Sequence, residues 1–146
     1  MRSHDDKLGK NEEIFDGLSK AIQDLRELSN EGTPIIVEGK NDVDSLKKIG
    51  VNGRILKIKG SNMSLQDFIY SLSSEEEAII LTDFDREGDE IASELMEELT
   101  KIGVKANNVI RRRIRRLVGR EVAEVEALPN YLMKLALGED ETQKFI

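Results

Sequence analysis

The sequence predicts an α/β fold built on a mostly parallel sheet, and three observations predict it. Short β-rich apolar runs alternate with segments of helical periodicity. The runs are apolar throughout instead of alternating with polar residues, the pattern of strands buried on both faces. Glycines punctuate the segments: Gly32, Gly50, Gly60, Gly103 and Gly138. Strands alternating with helices place the helices on both faces of the sheet.

Each element follows from its own residues. From Asn11 to Asn30, Ile14, Leu18, Ala21, Ile22, Leu25 and Leu28 recur at helical spacing, and Asn30 and Gly32 supply the stop. Thr33 to Val37 is the first strand. Asn41 to Ile49 reads as a helix ended by Gly50. Arg54 to Ile58 is a second strand closed by Gly60. Ser61 to Leu72 is helical, with Leu65, Phe68, Ile69 and Leu72 on one side and Ser61 or Ser64 as its cap. Ala78 to Thr82 is a third strand, and a long helix runs from about Gly88 to Ile102. From 109 to 118, Ile110, Ile114, Leu117 and Val118 suit a helix, with a strand in part of the stretch as the alternative. Pro129 opens a closing helix that carries Tyr131, Leu132, Leu135 and Ala136 and stops at Gly138. One domain is expected over 11–138, with a frayed segment at 1–10 and a tail at 139–146.

Composition narrows the function. The 146 residues can bury a core without staples, and the absence of cysteine excludes disulfides and thiolate metal sites. No apolar run has the length of a membrane span and residues 1–10 are polar, so the expectation is a soluble, cytoplasmic protein with no membrane partner. The net charge of -7 is unevenly placed. Between Glu75 and Lys101 there are eleven acids against two bases, whereas 111–120 holds six arginines and no acid. Two solvated helix faces of opposite sign would explain this. So would an acidic site near phosphate with a basic surface beside it, held together by metal ions.

Two motifs carry the chemistry. In Thr82-Asp83-Phe84-Asp85-Arg86-Glu87-Gly88, Asp83 and Asp85 stand two apart where an extended strand ends, so their carboxylates point to one side. Such a pair is unfavourable without a cation between the charges or a proton on one of them. Mg²⁺, with Mn²⁺ as the alternative, resolves the conflict, and Glu87 offers a further ligand. In Val37-Glu38-Gly39-Lys40-Asn41-Asp42, Glu38 is a charge at the end of a buried strand. Gly39 permits a tight turn, Lys40 offers a point charge to phosphate, and Asn41 or Asp42 suits a helix cap. Both motifs follow strands, and ligands of parallel sheets collect at the carboxyl ends of strands.

VEGKND after the first strand, Gly60-Ser61 after the second and TDFDREGDEI after the third resemble the Toprim domain. That domain occurs in topoisomerases, bacterial-type primases, some nucleases and a ribosomal-RNA maturase. The acidic stretch is similar to type IA topoisomerases; VEGKNDVDSLKKIG is closer to the maturase and to small stand-alone archaeal Toprim proteins. The resemblance covers residues 33 to about 100. It implies a Rossmann-like domain with a central, mostly parallel four-stranded sheet, here with an extra N-terminal helix. It also implies Glu38 as general acid or base, Asp83 and Asp85 as Mg²⁺ ligands and Glu87 as a third acidic position. Lys40, Ser61 and Arg86 become phosphate contacts by the same reasoning.

A topoisomerase would need a tyrosine nucleophile on another domain, and Tyr70 and Tyr131 both read as core-facing. A primase would need further polymerase and template-binding regions. The expectation is therefore a Mg²⁺-dependent nuclease or maturase-like enzyme acting on a nucleic-acid phosphodiester, RNA favoured over DNA. Arg111, Arg112, Arg113, Arg115, Arg116 and Arg120 would hold the flanking backbone. The alternative is a non-catalytic module that binds RNA, or docks on an RNA-processing or ribosomal complex, through the same arginines. A phosphatase or phosphoacceptor reading, with Asp83 as nucleophile, fits less well, because such folds usually place the nucleophile after the first strand. His4 is expected in solvent, and Phe15, Phe68 and Phe84 in packing roles.

Overall fold

The computed structural model describes residues 4–138, with side chains from residue 9 onward. The expectations for the His4 side chain and for the tail at 139–146 fall outside the described residues. The order is α1 (His4–Asn30), β1 (Ile35–Val37), α2 (Lys40–Lys48), β2 (Ile55–Lys57), α3 (Leu65–Tyr70), β3 (Glu77–Ile80), α4 (Arg86–Lys101), β4 (Lys105–Asn107), α5 (Val109–Val118) and α6 (Leu128–Leu137), with a 3₁₀ turn at Val125–Ala127 before the last helix. The four strands form one parallel sheet in the order β2-β1-β3-β4.

The inner strands β1 and β3 are buried on both faces, and the core divides accordingly. Ile35, Val37, Ile79 and Leu81 join α1, α2, α5 and α6 on one face. Ile36, Ala78 and Ile80 join α3 and α4 on the other. Neighbouring residues of one strand thus feed opposite layers, as the twofold alternation of a strand requires. At ~25 cal/mol per Å² of apolar area removed from water, these two layers supply the main stabilisation.

Three expectations change in detail. α1 starts at His4 and not at Asn11, because residues 4–10 are too polar to show periodicity while helix propagation beyond Ile14 needs none. α3 is shorter than expected, and Ser64 alone caps it, its Oγ accepting from the Asp67 N–H at 3.1 Å. The open choice at 109–118 resolves as helix. The fourth strand lies just before it, Lys105–Asn107, a three-residue edge strand with no apolar run to betray it.

The order of strands matters for the site. From β1 the chain crosses to β2 on one side and later to β3 on the other, so β1 and β3 flank the point where the winding reverses. The crevice at their carboxyl ends is where ligands of such sheets bind. Glu38 directly follows β1, and Asp83 follows β3 by three residues.

Candidate metal and phosphodiester site

Glu38 and Asp83, 45 residues apart in sequence, meet in that crevice. The Asp83 N–H donates to Glu38 Oε2 at 2.8 Å. Glu38 is 5 % exposed, and its other oxygen lies 3.6 Å from Lys59 Nζ. Lys59 reaches the site because β1/β2 pairing continues one step past the strand ends: its N–H donates to the Glu38 carbonyl at 2.8 Å. The same ammonium stands 3.7 Å from Glu87, whose side chain is otherwise solvent-facing. Burial of Asp42, and secondarily the charge of Glu38, push the Asp42 carboxyl above its ordinary pKa. Its Oδ2 accepts from the Gly39 N–H at 3.0 Å, the capping role expected of it, and it lines the same shallow cleft as Glu38, Asp83, Lys40 and Lys59.

The acidic loop is held rigidly. Asp85 caps α4, its Oδ1 accepting from the Gly88 N–H at 2.7 Å. Thr82 Oγ1 donates to the Gly88 carbonyl at 2.7 Å. A Cβ on Gly88 would stand 1.9 Å from the Asp83 carbonyl oxygen, so the loop closes this tightly only over glycine. On the far side, Val125 N–H donates to Asp83 Oδ1 at 2.9 Å and Phe84 N–H to the Ala123 carbonyl at 2.7 Å. The segment after α5 therefore returns to brace the motif and brings Glu124 and Glu126 to the cleft.

Burial pushes the Asp83 carboxyl up to about 7, helped by the charges of Asp42, Glu38 and Asp85 and opposed by the Val125 N–H. Removal from water is thus the leading cause, and the neighbouring carboxylates add to it. Asp83 and Asp85 each have one oxygen engaged by a backbone N–H. Among the described residues, no three carboxylates close on one point. An oxygen-only donor set with one or two carboxylates fits Mg²⁺, which keeps most of its water, better than a caged ion. Asp83 and Asp85 are the residues that would hold it; Glu87 lies farther out.

The arginines of α5 divide. Arg111 is buried, its guanidinium under the acidic loop: Nε donates to the Thr82 carbonyl at 3.1 Å, and Nη2 to the Asp83 carbonyl and to Asp89 at 2.8 Å. It also lies 5.9 Å from the Phe84 ring centroid. Burial lowers its pKa while Glu38, Asp85 and Asp83 raise it. Arg115 shares Asp89, and Arg113 pairs with Asp24 of α1 at 2.7 Å. Arg112, Arg116 and Arg120 are exposed. Arg86 is exposed and 3.5 Å from Glu90 of its own helix; Lys40 is exposed at the cleft; Ser61 is exposed beside Met63. Tyr70, read as core-facing, is instead 72 % exposed, since it ends α3 beyond the packed turn; Tyr131 packs against the core. Phe68 and Phe84 are buried as expected.

Sequence reading missed Lys59, Glu124 and Glu126. Lys59 had a signal, since it too follows a strand that ends on this edge. The two glutamates had none, because a long-range return of the chain places them.

The Toprim domain family matches residues 33–117. A UPF0292 protein of Methanosarcina acetivorans is 37% identical over 119 residues, 81% of each chain. One from Methanocaldococcus jannaschii is 36% identical over 125 residues, 86% of this chain and 97% of its own. A solved structure of a protein from Aquifex aeolicus superposes with a TM-score of 0.63 at 25% identity, covering 74% of this chain and 94% of that one.

Proposed function

The chain belongs to the Toprim domain family and to the UPF0292 proteins, and from that premise we propose that it is a Mg²⁺-dependent enzyme that cleaves a nucleic-acid phosphodiester, RNA in preference to DNA. Toprim domains in general bind Mg²⁺ and process nucleic acid, which carries the coarse part of the reading. The observation that favours catalysis is the meeting of Glu38 with Asp83 at the switch point of the sheet.

Asp83 and Asp85 are the proposed Mg²⁺ ligands; bound there, the ion would polarise the phosphoryl group and offset charge developing on its oxygens. The backbone bonds to Asp83 and Asp85 aim their remaining oxygens before substrate arrives, so little reorganisation is needed. Glu38 Oε2 is occupied by the Asp83 N–H, which leaves Oε1 to take or return a proton at the attacking or departing oxygen. Lys59 faces that oxygen from a mostly exposed side chain and can shift to a phosphate oxygen when one enters.

The test is cleavage of folded RNA and DNA panels with and without Mg²⁺. Glu38→Gln is expected to lower the rate by about 10²- to 10⁴-fold, the usual contribution of a general acid or base. Asp83→Asn is expected to abolish the Mg²⁺ dependence. Full Mg²⁺-dependent activity in Asp83→Asn would sink this mechanism. Binding that survives EDTA with no turnover by the wild type would favour a non-catalytic RNA-binding module.

A further inference from the structure

A groove of about 670 Å³ runs between α1, the end of α5 and α6. Its walls carry Lys10, Arg116, Arg120 and Lys134 against a single acid, Glu121, in a chain whose net charge is -7. All four cations are exposed. Among the described residues, Arg116, Arg120 and Lys134 have no carboxylate partner, whereas Arg111, Arg113 and Arg115 are all paired. The floor is firm, since Leu117, Tyr131 and Leu135 pack against the core.

The groove neighbours the acidic edge along the chain: Ala127 lines the one and Glu126 the other. Arg120 lies five residues before Val125, whose N–H holds Asp83. At ~3.6 Å per extended residue, the two are at most ~18 Å apart along the chain. That equals about five steps of a nucleic-acid duplex at ~3.4 Å each. A strand held at Asp83 would therefore reach the groove within a few nucleotides. The neighbouring α4–α5 groove is different: Arg111 and Arg115 are tied to Asp89 and Lys101 to Glu97 and Glu98, which leaves Arg112 as its one cation without a carboxylate partner among the described residues.

We propose that the α1–α5–α6 groove is the backbone-binding track for the nucleic acid, with Arg116, Arg120 and Lys134 on successive phosphates flanking the cleavage point. This rests on the reading of the acidic edge as a phosphodiester site and names where its substrate lies. The contacts are to phosphate alone, so they give affinity without sequence preference.

Anisotropy titrations of labelled hairpin RNA and duplex DNA with the whole chain, in EDTA and across about 50 to 200 mM salt, test it. Replacing Arg116, Arg120 and Lys134 together by Gln is expected to make the log–log salt slope shallower by about 2 to 3, roughly one for each phosphate no longer neutralised. Arg112→Gln should leave the slope unchanged, and Arg120→Glu with Lys134→Glu should weaken binding further. An unchanged slope in the triple variant, or an equal loss in Arg112→Gln, overturns the track. If that happens while the wild type still cleaves with Mg²⁺, only the track falls. If the triple variant loses binding but the wild type never cleaves, the track stands and the catalytic reading falls. If the wild type binds neither probe at any salt, both fall.

Discussion

The acidic loop and helix α5 are both dense runs of one charge, yet the fold treats them in opposite ways. The loop keeps its carboxylates close: Asp83 lines one cleft with Glu38, Asp85 caps α4 two residues on, and backbone N–H groups hold all three. Helix α5 disperses its arginines around the axis. Arg111 goes under the acidic loop, Arg113 to α1, Arg115 to Asp89, and Arg112 and Arg116 to solvent. The cause is geometric: in the loop each carboxylate is placed by its own backbone N–H donor, while consecutive residues on a helix are about 100° apart. A run of charge in a loop after a strand can be gathered at one edge. In a helix it becomes several unrelated contacts, and one of these, Arg111, supports the site.

That contrast can be broken most directly at Arg111. Arg111→Ala removes the buried countercharge and leaves the Thr82 and Asp83 carbonyls without their donor. Leaving a buried acceptor without its donor costs about 1 to 3 kcal/mol each, and Asp89 is part-exposed and keeps Arg115, so urea unfolding should show a loss of that order for the two carbonyls. Arg112→Ala, one residue along the same helix, should stay within about 0.5 kcal/mol. Equal losses in the two variants would erase the distinction between the inward and outward arginines. Next in size is Gly88→Ala, which forces a methyl group against the Asp83 carbonyl. Overpacking of this kind costs about 1 to 3 kcal/mol. The displaced Asp83 should also weaken Mg²⁺ binding by calorimetry, whereas Gly39→Ala, with open space at its Cβ, should not. Unchanged Mg²⁺ affinity in Gly88→Ala would separate loop closure from the metal site.

The contrast also marks how far the residues alone could be read. Strands β1 and β3 were legible because both layers of the core bury them and leave continuous apolar runs. β4 was not, being a three-residue edge strand that pairs with β3 alone and carries one apolar residue, Ala106. In the candidate site, the meeting of Glu38 with Asp83 was legible because each follows a buried strand. Lys59 also follows a strand, but its reach to Glu38 depends on β2 pairing with β1, and Glu124 and Glu126 required the contact of Val125 with Asp83. Arg111 looked like its five neighbours; only the packing of α5 beneath the loop gives it a different role. Local spacing thus locates groups on one element, while groups recruited by a second element stay hidden until the topology is known.

The smallest effect expected concerns pH, and it sharpens the contrast by asking whether the clustered carboxylates are under strain. Asp83 has its folded pKa raised to about 7 by burial and by Asp42, Glu38 and Asp85, against an ordinary 3.8. Between those values the unfolded chain has released a proton that the folded chain still holds, so stability falls as pH rises through the window and levels off above it. The group is half-buried, so solvent screening reduces the effect to roughly 1 kcal/mol, or about 4 °C in Tm for a domain of this size. Asp83→Asn should remove this part of the decline between pH 5 and 8, leaving the slope due to other groups. Mg²⁺ competes with that proton, so it should raise the wild-type Tm more at pH 8 than at pH 5. Identical pH profiles in wild type and Asp83→Asn, or an equal Mg²⁺ effect at both pH values, would mean that the repulsion is relieved by the protein itself. The acidic loop would then be dispersing its charge much as α5 does.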